Sequence, residues 1–356
     1  MFTREDADHL AWIRSQTEQT ILDSIGAPTD VALLDAPALL NVGDSMIWQG
    51  QLAYMNRLGH TVRYISDIQS YNPRRLRKAM PNGGVIALRG GGNFGDIWVG
   101  NQRFRERVAI DFPDLRIVQL TQSVVFRDAA RAVLANRILG AHPDLTVLIR
   151  DEKSLARAAE GLPDVHTMMS FDMALGWDPA PSTSARGSRA LVIARDDPEA
   201  SSGLLRAAEK WDAPFEVLVT DWVRHDEHPA RWHDTRARLA ANGKMIGRAR
   251  RRHLPIPTLS QKKIEADLAY LNDWNVDWAV ELFCTARAMV VDRLHAHVLA
   301  SLLGIPHVVL DNDHGKISTV FEAYTGSFST AHYTTSTSEA YDILQRLMVE
   351  GDPREL

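Results

Sequence analysis

Arg293 and His295 stand where an apolar run, residues 288–291, gives way to a helical pattern that ends at Gly304. A buried strand that passes directly into a helix places the residues of the turn at the carboxyl end of a sheet. The unpaired backbone N–H groups at the start of such a helix attract an anion. A guanidinium and an imidazole at this turn therefore indicate an anion-binding site with a proton donor or acceptor beside it.

The segment from Asn41 to Asp44 has a similar position near the start of the chain. It follows an apolar run, residues 31–34, and precedes a helical pattern that continues to Gly59, a residue type common at helix C-termini. Asp44 could act as a base in a site at this turn. Alternatively, Asn41 or Asp44 only caps the helix. The residues alone leave both interpretations open.

Gly90, Gly92 and Gly95 match the glycine spacing of dinucleotide-binding loops and follow a predicted strand. A dinucleotide site also needs an acidic residue at the end of a second strand, about 20 residues further on. Asp111 and Asp114 come instead just before the next predicted strand. The spacing therefore argues against a dinucleotide site.

The same glycine segment, residues 89–96, includes three successive glycines, which add nothing to a hydrophobic core. Glycine permits a tight turn in which backbone N–H groups approach a ligand closely. We therefore predict a ligand-binding turn, with Gly91 and Gly92 beside the ligand and Asn93 and Asp96 at the site. A purely structural turn is the alternative.

Arginines follow two other predicted strands. Arg150 and Asp151 stand at the start of a helix, where an internal ion pair or a helix cap would explain them almost as well as a binding role. Arg195 follows a strand in the second half of the chain, so that it could reach the same site as Arg293. Its alternative is a salt bridge to one of the two aspartates that follow it.

Short apolar runs rich in β-branched residues alternate with longer helical patterns along the chain. This alternation is typical of α/β proteins with largely parallel sheets. The predicted strands are residues 31–34, 85–88, 117–120, 147–149, 190–194, 217–219, 288–291 and 308–310. Residues 176–188 interrupt the alternation with prolines, glycines and serines, which is typical of a domain linker.

The pattern predicts an α/β fold of two doubly wound, Rossmann-like domains that face each other across a cleft. The first domain would span residues 1–178 and the second residues 186–336. A C-terminal helix in residues 337–356 could pack back on the first domain, although the sequence does not settle its position.

The segments 41–44, 89–96, 293–295 and 311–316 occur in this order along the chain. With them the sequence resembles the polysaccharide pyruvyltransferase family, whose members move the enolpyruvyl unit of phosphoenolpyruvate onto sugar hydroxyls. The resemblance implies a two-domain architecture like that called GT-B. It also implies that the first domain serves the acceptor and the second serves phosphoenolpyruvate.

The reaction that the resemblance implies is addition to a vinyl ether. Protonation of the methylene carbon of phosphoenolpyruvate gives an oxocarbenium-like centre, which a sugar hydroxyl attacks while a base removes its proton. Phosphate then leaves, and a second hydroxyl of the same sugar closes a cyclic ketal. This chemistry requires an acid, a base and cations that bind phosphate. It requires neither a metal nor another cofactor.

By this resemblance His295 is the acid or base and Asp44 assists the acceptor hydroxyl, and which of the two protonates carbon stays open. Phosphoenolpyruvate has two anionic groups, and forked guanidinium donors fit both. The predicted substrate contacts are Arg293, Leu294, Arg195, Lys316, Asn41, Gly43, Gly91, Gly92, Asn93 and Asp96. His297 is expected to be structural.

Composition limits the classes of function. The 356 residues carry a net charge of -5 spread over charges of both signs, which gives no general argument for a nucleic-acid or membrane partner. A single cysteine, Cys284, excludes an internal disulfide and favours a reducing compartment. The acidic, polar start does not resemble a signal peptide, and no apolar run approaches the roughly 20 residues of a membrane span. We expect a cytoplasmic protein.

One strongly basic segment, residues 244–253, differs from the rest of the chain. Its cations are Lys244, Arg248, Arg250, Arg251 and Arg252, and it contains no acidic residue. It also has no aromatic residue on which a base could stack, which argues against nucleic acid. If the acceptor sugar is linked to a lipid, this segment could contact the anionic inner face of a membrane. A solvated surface is the alternative.

Two other functions remain possible from the sequence. A glycosyltransferase that uses a nucleotide sugar would have the same two-domain architecture, because a fold does not determine a function. A binding module without activity is also compatible with the fold. This second alternative is disfavoured because the candidate site positions all carry residues that can perform the chemistry.

Overall fold

The computed structural model describes residues 2–180, 187–196, 200–222, 228–252, 260–311 and 315–349. In these residues the strands form two separate parallel sheets, one from each half of the chain. This arrangement confirms the α/β prediction with two Rossmann-like halves. The predicted linker, residues 176–188, connects the sheets, and residues 181–186 of it lie outside the described residues.

The first sheet has seven strands in the order β2-β1-β3-β5-β6-β7, with β4 paired to β5. Its strands are β1 (Asp30–Leu34), β2 (Thr61–Ser66), β3 (Val85–Leu88), β4 (Gly91–Gly95), β5 (Arg116–Val125), β6 (Leu145–Ile149) and β7 (His166–Met169). The helices of this half are α1 (Arg4–Ile25), α2 (Val42–Arg57), α3 (Pro73–Ala79), α4 (Val99–Asp111), α5 (Ala129–Leu139) and α6 (Glu152–Gly161), followed by a 3-10 helix, Met173–Gly176.

The second sheet has five strands in the order β12-β11-β10-β8-β9. These are β8 (Arg189–Ile193), β9 (Val217–Thr220), β10 (Ala286–Val291), β11 (His307–Leu310) and β12 (Ala331–Thr334). The helices are α7 (Leu204–Ala208), α8 (Ala230–Arg251), α9 (Gln261–Cys284), α10 (Leu294–Leu302), α11 (Lys316–Ala323) and α12 (Thr337–Val349), with a 3-10 helix, Thr325–Ser327.

The strand order reverses once in each sheet, between β1 and β3 and between β8 and β10. In open α/β sheets, ligands bind outside the carboxyl ends of the strands at such a reversal. Asn41 and Arg89 follow the first pair of strands, and Arg195 and Arg293 follow the second. The topology therefore places the predicted segments at the two positions where ligands of this architecture bind.

All eight predicted strands are present, because buried parallel strands consist of nearly continuous apolar runs. The tight turn predicted for the glycine segment is wrong, since Gly91–Gly95 forms β4. Gly95 shows why glycine is required there. Its φ is +123°, and a Cβ would lie 1.8 Å from the carbonyl oxygen of Val125 on the paired strand.

Helix α9 joins the two halves. It belongs to the second half of the chain but packs against α2 of the first. The side chain of Asn272 donates to the carbonyl of Pro37 (2.9 Å), and that of Asn275 donates to Ser45 Oγ (3.0 Å). Apolar residues of both sheets and of α9 belong to one continuous core cluster. The two halves are consequently packed together as well as covalently linked.

The described part of the C-terminal helix, α12, packs on the second sheet. Ala340 and Leu344 of α12 are buried in a cluster with Val290 of β10 and Val308 of β11. It is the N-terminal helix that reaches across. Asp6 of α1 accepts hydrogen bonds from the backbone and hydroxyl of Ser329 in the second half (2.7 and 2.6 Å).

Candidate active site

His295 and Asp172 bring the two halves of the chain into contact. His295 lies in the first turn of α10, and Asp172 follows β7 of the other sheet. The Nε2 atom of His295 is 3.3 Å from Oδ2 of Asp172, and the imidazole keeps 15% of its surface exposed. The carboxylate itself is buried. A buried carboxylate beside a partly exposed imidazole can orient that ring for proton transfer.

Asp172 also forms an ion pair with Arg150. Arg150 Nη1 pairs with the Asp172 carboxylate, and Arg150 Nε donates to Ser123 Oγ at 2.8 Å. Burial alone would raise the pKa of Asp172, but His295 and Arg150 hold it below the ordinary value. Asp151 caps α6 by accepting from the Ser154 backbone N–H at 2.7 Å, and it also accepts from Ser123 Oγ at 2.8 Å, the hydroxyl to which Arg150 donates. Both open interpretations of this segment, an ion pair and a helix cap, are therefore realised.

Gly43 lets the imidazole approach the first turn of α2. A Cβ on Gly43 would lie 2.6 Å from Nδ1 of His295, closer than real Cβ atoms approach other atoms. Asn41 caps this helix with its side-chain oxygen, which accepts from the Gly43 N–H at 3.1 Å. The segments 41–44 and 293–295, one from each half, thus meet at His295.

Asp44 lies in the same turn and is partly exposed. It accepts hydrogen bonds from Arg89 Nη1 (2.8 Å) and from Asn41 Nδ2 (3.1 Å), while 30% of its side chain remains accessible. Arg89 is buried and also donates to the carbonyl of Asp35 at 2.7 Å. Burial opposes its charge, but Asp44 and Asp35 raise the pKa of Arg89 above the ordinary value. The guanidinium therefore holds an accessible carboxylate in a fixed position.

The glycines of β4 lie between Asp44 and Arg150. A Cβ on Gly91 would be 3.9 Å from Oδ1 of Asp44, and one on Gly92 would be 3.2 Å from Nη2 of Arg150. The backbone of β4 consequently passes close to both charged groups. A side chain at either position would occupy the space beside them.

Asn93 and Asp96 have protein partners. Asn93 is buried, and its Oδ1 accepts from Arg105 Nη2 (2.7 Å) and Gln122 Nε2 (3.0 Å). Asp96 accepts from the backbone N–H groups that follow β5, those of Arg127 (2.9 Å) and Asp128 (2.6 Å). These contacts stabilise β4 and the turn after β5.

Arg293 is the N-cap residue of α10 and pairs with Asp221, which follows β9. The pair is bidentate, with Nε to Oδ1 at 2.8 Å and Nη2 to Oδ2 at 2.6 Å, and both residues are buried. Such a fork fixes the plane of the guanidinium at the start of the helix. Leu294 beside it belongs to the hydrophobic core.

Arg195 follows β8 and Lys316 follows β11, the two strands on either side of β10. Arg195 is half-buried, and its backbone N–H donates to Asp292 Oδ1 at 2.8 Å. Lys316 begins α11 after Gly315, whose φ is +63°. Residues 312–314 and the side chain of Lys316 lie outside the described residues.

Sequence reasoning missed Asp172 and Asp221. Asp172 follows β7, whose four residues are half-buried or exposed, so that no apolar run predicted a strand before it. Asp221 does follow a predicted strand, but its partner lies far away along the chain. A survey of every acidic residue directly after a strand would have found Asp221.

Comparison with known proteins gives the family. The sequence profile described as polysaccharide pyruvyl transferase matches residues 41–314, well over half of the chain. This chain belongs to that family. The match extends from the cap of α2 to the segment before α11 and includes His295 and Asp172. The resemblance noted from the sequence is thus confirmed.

Individual relatives agree with the family. The putative pyruvyl transferase EpsO of Bacillus subtilis is 28% identical over 322 residues, which cover 90% of this chain and 92% of that protein. Pyruvyl transferase 1 of Schizosaccharomyces pombe is 27% identical, over 81% of this chain and 68% of that protein. A functionally uncharacterised protein of Klebsiella pneumoniae, 14% identical, shares the fold with a TM-score of 0.56 over 91% of this chain and 99% of its own.

The basic segment of this pyruvyltransferase family member, residues 244–253, begins in the last turns of α8. Ile246 and Ala249 are buried, whereas the cations around them are exposed. The described exposed cations are Lys244, Arg248, Arg251 and Arg252. The side chain of Arg250 lies outside the described residues. In the part of the chain that the structure describes, no helix is long and apolar enough to cross a membrane.

Proposed function

We propose that the protein transfers the enolpyruvyl unit of phosphoenolpyruvate to a saccharide and forms a pyruvate ketal. The observation that carries the proposal is the contact of His295 with both Asp172 and Gly43, because it brings the imidazole against the turn of α2 that also carries Asp44. Membership in the pyruvyltransferase family supports the class of reaction.

His295 is the acid in this proposal. Asp172 orients its ring and offers an opposite charge to the protonated imidazole. The imidazolium donates its proton to the methylene carbon of phosphoenolpyruvate, which leaves a cationic centre at the carbon that carries the phosphate. Proton transfer by a positioned side chain accelerates such a step by typically a hundredfold or more.

Asp44 is the base. Its ion pair with buried Arg89 fits a carboxylate that accepts a proton rather than donating one. An acceptor hydroxyl bonds to the cationic carbon and passes its proton to Asp44. The bond from this carbon to the phosphate oxygen then breaks, and inorganic phosphate leaves with the bonding electron pair. A second hydroxyl of the same sugar then bonds to this carbon and passes its proton to the neutral imidazole of His295, while the leaving phosphate takes the proton held by Asp44.

The anionic groups of the donor bind at the edge of the second sheet. Arg293 is fixed by Asp221 at the start of α10, and Arg195 follows the adjacent strand. Together with Lys316 at the start of α11, these residues bind the phosphate and the carboxylate. The proposed chemistry uses no metal and no further cofactor.

We further propose that the acceptor is a lipid-linked oligosaccharide in exopolysaccharide or cell-surface polysaccharide biosynthesis. The exposed cations of α8 support this, because a cytoplasmic enzyme with such an acceptor must work at the anionic inner face of a membrane. The protein would then be cytoplasmic and peripheral to the membrane.

The proposal is tested with radiolabelled phosphoenolpyruvate and lipid-linked oligosaccharide acceptors. We expect label from the carbon skeleton in the saccharide, release of inorganic phosphate, and a quaternary ketal carbon in the NMR spectrum of the product. A thermal shift gives an independent measurement, since a ligand stabilises the folded state that binds it. Stabilisation by a uridine or guanosine sugar nucleotide, but not by phosphoenolpyruvate, would instead support a glycosyltransferase.

A further inference from the structure

Two apolar side chains are exposed at the carboxyl edge of the first sheet. Trp98 and Val99, just after β4, are 52% and 37% exposed. Gly100 follows, and a Cβ on it would meet no atom within 4 Å, so that the space beside these residues is open. A large indole in contact with water is a common feature of binding surfaces.

A chain of polar contacts ties this exposed segment to Asp44. Asn101, in the first turn of α4, donates to both carboxylate oxygens of Asp35 (3.2 and 3.0 Å). Asp35 in turn accepts from Arg89 through its backbone carbonyl, and Arg89 donates to Asp44. Trp98 precedes Asn101 by less than one helical turn. The indole consequently lies along the same sheet edge as the proposed base.

Asp35 is the residue that connects Asn101 with Arg89, and the backbone holds it in a fixed conformation. It is buried and adopts a φ of +65°, which is uncommon for any residue other than glycine. Its carboxylate interacts with Asn101, Asn93 and Arg89 together. The first turn of α4 is therefore held in a defined position relative to Asp44.

The chemistry of the exposed segment fits a neutral sugar ring. Trp98, Val99 and Gly100 carry no charge, which gives an anionic group no partner among them. Sugar rings present a face of C–H groups, and an indole face provides an apolar surface of matching size with a polar N–H at its edge. In such sites a small number of polar groups at the rim bind the hydroxyls.

We propose that Trp98 forms a subsite for a second sugar ring of the acceptor, next to the ring that reacts at Asp44. This subsite rests on the proposed saccharide acceptor. It assigns the acceptor as an oligosaccharide that extends from α2 along the edge of the first sheet. A single sugar would fill only the reacting position.

The test compares Trp98→Ala and Trp98→Phe with the wild-type chain. Trp98 makes no side-chain hydrogen bond at the start of α4 and is half exposed, so that both variants should fold. Trp12→Ala is the matched control, because Trp12 on α1 is 50% exposed. The KM for an oligosaccharide acceptor should rise about tenfold in Trp98→Ala and less in Trp98→Phe. The KM for phosphoenolpyruvate should not change.

A binding measurement without phosphoenolpyruvate separates the subsite from the proposed reaction. Calorimetry would use cello-, malto-, xylo-, manno- and galacto-oligosaccharides, each as a monosaccharide and as a hexasaccharide. Binding of a hexasaccharide that Trp98→Ala weakens about tenfold supports the subsite, even if the wild type transfers no pyruvyl group.

Four outcomes overturn the subsite. The first is an equal hexasaccharide affinity in the wild type and in Trp98→Ala. The second is no binding of any saccharide in this panel by the wild type. The third is a loss in Trp98→Ala of affinity for uridine diphosphate but not for saccharides, which would show that the indole stacks on a nucleobase. Pyruvyl transfer with an unchanged acceptor KM in Trp98→Ala overturns the subsite and leaves the reaction intact.

Discussion

The Nε2 atom of His295 lies 3.3 Å from the buried carboxylate of Asp172, across the boundary between the two sheets. Because Asp172 also pairs with Arg150, a residue of the first sheet, the imidazole is oriented by groups of the half to which it does not belong. The proton donor of the proposed reaction is therefore complete only when both halves are in place.

Asp172→Asn should lower both activity and stability. The change removes the group that orients His295 and leaves the buried Arg150 guanidinium without its paired carboxylate. We expect kcat to fall on the order of a hundredfold and the free energy of unfolding to fall by about 3 kcal/mol or more. Steady-state kinetics and urea denaturation measure the two effects. Asp178→Asn, which breaks the exposed pair with Arg14, is the control and should change neither.

Gly43→Ala should impair catalysis by displacing His295. The added methyl group would lie 2.6 Å from Nδ1 of the imidazole, which must move away. We expect a lower kcat with a smaller change in the KM for phosphoenolpyruvate, measured by phosphate release. At Gly161 a Cβ would meet only Ala132 at 3.4 Å, so that Gly161→Ala should be fully active. A Gly43→Ala enzyme with wild-type kcat would show that the position of His295 does not matter.

Arg293→Ala and Arg195→Ala should both raise the KM for phosphoenolpyruvate. Each loses a charge-assisted contact to an anionic group, which corresponds to roughly 2 kcal/mol or more. Arg293→Ala should also lower the melting temperature, because Asp221 would remain buried without its partner. Asp221→Asn separates the two effects, since it weakens the ion pair but keeps the guanidinium. An unchanged KM in both arginine variants would remove these residues from the donor site.

The pH dependence of stability should report a buried histidine pair. His297 Nδ1 and His307 Nε2 are 2.7 Å apart, and burial lowers the pKa of His307 to about 4 and that of His297 well below 6.5. Unfolded imidazoles bind protons below about 6.5, so that stability is complete above that pH and is lost as the pH falls toward 4. For His307 alone the loss is roughly 3 kcal/mol.

Urea denaturation at neutral pH and at about pH 5 measures this slope. His307→Gln removes one titrating group, so its stability should change less between the two conditions. His166→Gln, at an exposed position, should keep the wild-type slope. An identical slope in all three proteins would mean that His307 binds a proton as readily in the folded protein as in the unfolded chain, so that burial does not lower its pKa. The expectation that His297 is structural agrees with its complete burial.

The exposed cations of α8 should bind anionic vesicles in a salt-sensitive manner. Each cation near such a surface contributes about 1 kcal/mol. Replacing Arg248, Arg251 and Arg252 with Gln should therefore reduce co-sedimentation with phosphatidylserine vesicles and leave activity on a soluble acceptor intact. A second triple variant, with Gln in place of the exposed Arg74, Lys78 and Arg206, removes the same charge elsewhere. Equal losses in both variants would show that only net charge matters.

The sequence predicted the central strands because each is apolar throughout, as buried parallel strands are. It missed strands for two different reasons. Three of them, β2, β7 and β12, lie at sheet edges, and most of their residues are half-buried or exposed, so that they lack this signal. The β4 strand is mostly glycine, which favours a turn by local propensity, but its pairing with β5 overrides that preference.

At the site, the segments at strand-to-helix junctions were visible in the sequence, and their partners were not. Arg293 and His295 were predicted from the apolar run before them. Asp221 and Asp172, which fix these two side chains, come from other parts of the chain. The packing of the two halves determines which distant segments pair. Local sequence patterns do not predict this packing.

The tie between α9 and the turn before Asp44 has a consequence for catalysis. Asn272 and Asn275 anchor α9 to the first half, and a single apolar core runs through both sheets, so that the separation of the proposed acid and the proposed base is set when the chain folds. Little reorganisation is then left for the encounter with substrate, and the electrostatic environment of the transition state is prepared in advance. We therefore expect the rate of the proposed reaction to depend on these two asparagines, although both belong to the second half of the chain.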